Sequence, residues 1–182
     1  MIIFRSRDVF DAADRVGHAG EVLFEREAAQ DLLPWCLAHE TAVVNYAPMQ
    51  SVLLTGTFSE RRVSELPDND WRKTHPNFTG QAFRRNLALA QALRPVADKH
   101  ATTVAAVAVA WTLGVPGITS AIVGARRPDQ VDSLVAAGTV ELDHDDMTVV
   151  ARAVKETGAG HGPACWPAQD VSGQAQPTAD VR

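Results

Sequence analysis

Two short β-branched runs, Thr41–Tyr46 (TAVVNY) and Ile118–Val123 (ITSAIV), constrain this chain more than any other feature. Each has a strand's composition and is too short to be read as a buried helix. Pro48 ends the first, while Gly117 and Gly124 bracket the second. Helical patterns separate and follow them, and strands alternating with helices argue for an α/β protein with parallel strands. Two parallel strands alone leave hydrogen-bonding edges open on both sides and cannot close a barrel. The elements are those of part of a larger fold.

From Glu25 to His39, the residues Ala28, Leu32, Trp35, Cys36 and His39 follow helical spacing despite Pro34. Residues 1–20 show no period beyond a short helical face at Phe10, Ala13 and Val16. Residues 47–80, with Gly56, Pro67, Pro76 and Gly80, read as a long irregular connection pinned by Trp71 and Phe78. An amphipathic helix is expected over Phe83–His100, with Leu87, Ala90, Leu93 and Ala97 on one face. The next, over Thr103–Leu113, is apolar nearly all round and so expected to be buried, with Thr103 as its cap. Further helices are expected from Pro128 to Ala137 and from Asp145 to Lys155. The chain thus divides into a segment 1–24, a body 25–156, and a Gly-, Pro- and Gln-rich tail 157–182 expected to be disordered.

A net charge of −5 and a pI near 5.6 argue against nucleic acid and anionic membranes as partners. An anionic ligand would need a local basic site. Cys36 and Cys165 make neither a disulfide framework nor a metal quartet, and the six histidines have no metal or dyad spacing. The start, MIIFRSRDVF, is too short for a signal-peptide core, so a cytoplasmic location is expected.

Two motifs carry chemistry, each at the carboxyl end of a strand, where α/β folds place ligands. In IVGARRPDQV, Gly124 and Ala125 leave room for close approach, and Arg126 and Arg127 precede a helix N-terminus. Such a terminus offers free N–H groups, arginine suits phosphate, and Gln130 offers both donor and acceptor to a heterocycle edge. A solvated arginine pair at a strand–helix junction is the plainer alternative. In NYAPMQS, Tyr46 is the chain's single tyrosine, and its flat ring is placed to stack on a planar ligand. A buried tyrosine packing a loop is the plainer alternative there.

Together these motifs resemble the aldo/keto reductases. YAPMQSVLLTG is similar to that family's strand-seven motif, Y-S-P-L-x-x-G-L-L-T-G, and IVGARRPDQV to its strand-eight phosphate-binding motif. LPDNDWR, RRNLALAQALRP and VAVAWTL match the intervening segments in order, over about Glu25 to Pro163. The resemblance implies the C-terminal portion of a (β/α)8 TIM barrel, about strands seven and eight with their helices, in an enzyme that reduces small carbonyl compounds with NADPH. It implies that Tyr46 stacks on nicotinamide, and that Ala47, Pro48, Met49 and Ser51 run beside the pyrophosphate. Gly124, Ala125, Arg126 and Gln130 would surround the adenosine 2′-phosphate and adenine, with Arg126 setting the preference for NADP over NAD.

The match also has gaps. The family's catalytic Asp, Tyr, Lys and His lie in the first half of its barrel, and no catalytic residue is assigned in this chain. Val52 stands where the family has Gly, Thr57 where many members have a cofactor-contacting Lys, and Ser133-Leu134 where a Glu-Asn pair often holds adenine. GHAGEVLFERE does not match the usual sixth strand. Three readings follow: a C-terminal portion of an oxidoreductase, truncated or split from its first half and inactive alone; a non-catalytic NADP-binding or interaction module; or a complete enzyme of another class built around the long loop. The first carries the expectation of an N-terminal half-barrel partner or of self-association.

Overall fold

The computed structural model describes residues 2–5, 15–19 and 23–164. Its strands are β1 (Ile2–Arg5), β2 (Arg15–Ala19), β3 (Thr41–Tyr46) and β4 (Ile118–Val123). They form one sheet in the order β1-β4-β3-β2, with β2, β3 and β4 parallel and β1 antiparallel on β4. The expected strands β3 and β4 have the bounds their β-branched runs suggest. The other two correct the expectation of only two strands, and β2 lies where the unmatched sixth-strand segment begins. Val16 belongs to β2 and not to a helical face; Phe10 and Ala13 lie outside the described residues.

The β3–β4 ladder contains an irregularity. Val43 pairs with Ile118 and Val44 with Ser120, so Thr119 is skipped. Its hydroxyl accepts the Val43 N–H at 3.1 Å, which satisfies a buried donor that the ladder leaves free.

Helices cover the sheet. α1 (Leu32–Ala38) is capped by Asp31, whose side chain accepts the Leu32 N–H. Pro34 is tolerated because it stands in the first turn, where no intrahelical N–H is needed. The long connection after β3 is not shapeless. It contains α2 (Glu60–Ser64) and short 3-10 turns at Leu53–Thr55, Trp71–Lys73 and Pro76–Phe78. The helix expected over Phe83–His100 is two, α3 (Gly80–Ala92) and α4 (Arg94–Lys99), because Pro95 cannot donate into the preceding turn.

α5 (Val104–Leu113) is capped by Thr103, whose hydroxyl accepts the Ala106 N–H, and is buried from Val104 through Thr112. It leads through Gly117 into β4. At φ 93° that glycine lies against the Leu33 carbonyl, where an added Cβ would come within 2.9 Å. α6 (Pro128–Val135) and α7 (His144–Thr157) complete the set. The main core gathers Trp111, Leu89, Leu93, Phe83 and Val150; Phe78, 2% exposed, belongs to it and pins the long connection to the core.

The beginning of the tail is docked. Residues 158–164 lie against the connection between β2 and α1: His161 N–H donates to the Phe24 carbonyl at 2.7 Å, and Arg26 N–H donates to the His161 carbonyl at 2.9 Å. The Arg26 side chain, 2% exposed, donates to the carbonyls of Leu23, Ala159, Gly162 and Pro163. Carbonyl partners of this kind leave no trace in composition. Residues 165–182 lie outside the described residues.

Candidate functional site

The parallel register sets Tyr46 against Ile122, so the segments that follow β3 and β4 leave the sheet side by side. Beneath them is a small apolar cluster of Ala105, Ala106, Val109, Val123, Leu134 and Ala137, onto which Met49 and Ala125 both pack. One floor therefore carries both motifs. Met49 and the buried Pro48 hold their loop down, while Tyr46, Ala47, Ser51, Gly124 and Arg126 are exposed above. Tyr46 is 56% exposed, which excludes the alternative of a buried, loop-packing tyrosine.

The loop after β3 is strained. Ala47, Gln50, Ser51 and Val52 all have positive φ, at 56°, 42°, 51° and 87°, and none is glycine. Val52 is the sharpest case, a β-branched residue in a left-handed conformation that costs about 1–2 kcal/mol. Hydrogen bonds hold the shape: Gln50 N–H to the Ala47 carbonyl, Leu54 N–H to Met49, and Gln50 Nε2 to Glu25 Oε1 at 2.8 Å. Thr57 has its hydroxyl 3.0 Å from that of Thr55.

The turn after β4 departs from expectation. Its helix N-terminus was expected to offer free N–H groups, but those of Arg126, Arg127 and Gln130 are used internally. Gln130 Oε1 accepts from the backbone N–H of Arg126 at 2.9 Å and of Arg127 at 3.2 Å, the side-chain half of a capping box. Pro128 has no N–H, and the Gln130 N–H donates to the Arg127 carbonyl. Arg127 is held by Asp129 through Nε to Oδ1 at 3.0 Å and Nη2 to Oδ2 at 2.9 Å. That hydrogen bond, despite some desolvation, holds the Asp129 carboxyl below its ordinary range.

Arg126 is left exposed, with no hydrogen bond or ion pair through its guanidinium among the described residues. Nothing lies within 4 Å of where a Gly124 Cβ would sit. Leu134, where the family often has a polar adenine contact, is buried in the floor, and the Ser133 hydroxyl donates to the Gln130 carbonyl. An exposed flat ring, an open glycine and an unpaired guanidinium fit a planar heterocycle, a closely approaching ligand and a phosphate respectively. Among the described residues no cluster of His, Cys, Asp or Glu fits a metal ion.

Of the histidines, His39 stacks on Trp35 and His75 packs edge-on to Trp71. His100 pairs with Asp146 at 2.7 Å, part of a cluster with Lys99 and Asp143 that ties α4 to α7. Helical spacing did not reveal this cluster, because its basic and acidic halves lie more than forty residues apart. No described helix is long and apolar enough to cross a membrane.

Comparison with known proteins gives the class. The model of the aldo/keto reductase family matches residues 20–155, and the chain belongs to that family of oxidoreductases. It is 29% identical over 136 residues to the aldo-keto reductase YhdN of Bacillus subtilis, covering 74% of this chain and 40% of that protein. It is 32% identical over 138 residues to the uncharacterized oxidoreductase Rv2298 of Mycobacterium tuberculosis, covering 74% and 41%. Among solved structures it resembles the glycerol dehydrogenase AKR11B4 of Gluconobacter oxydans, with a TM-score of 0.71 and 26% identity over 91% of this chain and 46% of that one. The chain thus spans about 40% of the length of the curated relatives it matches.

Proposed function

We propose that this chain is the cofactor-binding, C-terminal portion of an NADP(H)-dependent aldo/keto reductase barrel, with β3 and β4 as about its seventh and eighth strands. The observation that carries this reading is the pairing of Tyr46 with Ile122, which sets the two ligand-binding motifs beside each other at one end of the sheet. Tyr46 would stack on nicotinamide. Ala47 and Ser51 would flank the pyrophosphate over a floor held by Pro48 and Met49. Gly124, Ala125, Arg126 and Gln130 would form the adenosine end, with Arg126 reading the 2′-phosphate. When bound, NADPH supplies the hydride for reduction of a small carbonyl substrate.

Reduction of a carbonyl also needs a proton donor. Tyr46, the single tyrosine, is committed to the ring face. The acid and the residues that tune it would therefore come from an N-terminal half-barrel, so the chain alone binds cofactor without turning over. A titration of NADPH against the chain, followed by cofactor fluorescence, tests this. Saturable binding that Tyr46→Ala weakens about tenfold supports it, the loss expected when a stacking ring worth roughly 1–2 kcal/mol is removed. The absence of saturable binding contradicts it.

One observation favours a second reading, a stand-alone NADP-binding or interaction module. β1 pairs antiparallel along β4 from Ser120 to Val123, the edge a closing barrel strand would need. Carbonyl-dependent NADPH oxidation after addition of a first-half barrel polypeptide would favour the first reading. Binding that stays unproductive under the same conditions would favour the second.

A further inference from the structure

We infer that Asp129 and Gln130 restrict the adenosine-phosphate site to a single cation, Arg126, so that Asp129 is a specificity-determining residue for the phosphorylated cofactor. The inference rests on the cofactor reading above and refines the same site. The turn has two arginines and a helix start, and on composition alone all of these would contribute to anion binding. The geometry withdraws most of them. Gln130 Oε1 takes the N–H groups of Arg126 and Arg127, and Pro128 has none to offer. Because both partners are N–H donors, the carboxamide must present its oxygen to them. Only its NH2 is left for a ligand, and Gln130 therefore offers a donor to a ring nitrogen or phosphate oxygen and no longer an acceptor.

Arg127 is closed off in the same way. Its contacts to Asp129 are side-on, through Nε and Nη2, so the guanidinium edge that would grip a phosphate with two parallel N–H groups is already taken by a carboxylate. The pair is exposed, at 64% and 65%, and is weak enough for a competing dianion to challenge. Even if Arg127 turns away to meet a phosphate, the Asp129 charge stays beside the site and opposes that phosphate. Either way Asp129 lowers affinity for a 2′-phosphate and leaves the adenosine of NADH untouched.

The test is the ratio of NADPH to NADH dissociation constants for the full chain, measured by cofactor fluorescence at low and moderate salt. Asp129→Asn is expected to raise the preference for NADPH about two- to fivefold, with NADH affinity unchanged and the gain shrinking as salt is added. Asp129→Glu keeps the charge and should retain the wild-type ratio. An Asp129→Asn ratio equal to wild type, while Arg126→Ala still abolishes the preference, overturns the inference and leaves the cofactor reading intact. Failure of the wild-type chain to bind either cofactor overturns both.

Discussion

The Gln130 side-chain oxygen lies 2.9 Å from the backbone nitrogen of Arg126, four residues before it in the chain. A residue expected to face the ligand thus also shapes the turn on which the ligand would sit. Gln130→Ala should release two N–H groups at the start of α6 and destabilise the chain by about 1 kcal/mol, in line with the loss of a helix cap. Gln130→Glu keeps the acceptor and adds a charge that suits a helix N-terminus, so its stability should equal or exceed wild type. Urea unfolding of the three proteins checks both. Equal loss in the two variants would contradict the capping role.

Val52 sits at φ 87°, where glycine is at ease and a branched side chain is not. Replacing a part-buried valine by glycine ordinarily destabilises, through lost packing and a more flexible unfolded chain. Here relief of about 1–2 kcal/mol of backbone strain offsets those losses. Val52→Gly should therefore leave stability unchanged to within about 1 kcal/mol, whereas Val107→Gly in the core of α5 should cost about 3 kcal/mol or more. Comparable losses at the two positions, measured in the same denaturant series, would contradict the strain at Val52.

Three glycines near the tail separate backbone conformation from packing. Gly158, Gly160 and Gly162 all have positive φ. A Cβ on Gly158 meets nothing within 4 Å, one on Gly160 would overlap the Phe24 backbone, and one on Gly162 would come within 2.6 Å of the Arg26 carbonyl carbon. Gly158→Ala should cost about 1 kcal/mol. Gly160→Ala and Gly162→Ala should cost about 2–4 kcal/mol each, because the docked segment must shift as well. Thermal unfolding of the three variants gives the order; equal effects would mean that residues 158–164 are not seated on Arg26.

Asp146 is the group whose titration should matter most. Its side chain is 3% exposed, and burial pushes its carboxyl up. Hydrogen bonds from Lys99, His100 and the Asp143 N–H to it outweigh that and bring it down to about 2, below the ordinary 3.8. A depressed folded value means that the carboxylate's contribution is complete above about pH 4 and is lost as the pH falls toward about 2. The contribution is on the order of 2 kcal/mol. Asp146→Asn should destabilise the chain at neutral pH and flatten its stability between about pH 4 and 3 relative to wild type. Parallel profiles for the two proteins would contradict this.

How far the sequence showed these features depends on how local each one is. β3 and β4 were legible because a six-residue run built around β-branched residues needs no partner to declare a strand. β2, with Gly17 and His18 in a five-residue run, shows neither alternation nor β-branched density, and only its pairing with β3 makes it a strand. The pairing of Tyr46 with Ile122, four residues before Arg126, comes from the ladder register and not from either run alone. The occupied amides of that turn were not legible, since the same Gln130 can face a ligand or fold back onto its own helix start. Nor was the docked stretch 158–164, whose anchors are backbone carbonyls gathered by Arg26.

The most direct test of the central claim is thermal unfolding of the purified chain with saturating NADPH and, separately, with NADH, for wild type and Arg126→Ala. The account predicts a cooperative transition that NADPH raises by several degrees and NADH by less, with binding linked to stability, and a difference that disappears in Arg126→Ala. A transition unmoved by either cofactor, or a difference that persists without Arg126, would contradict it.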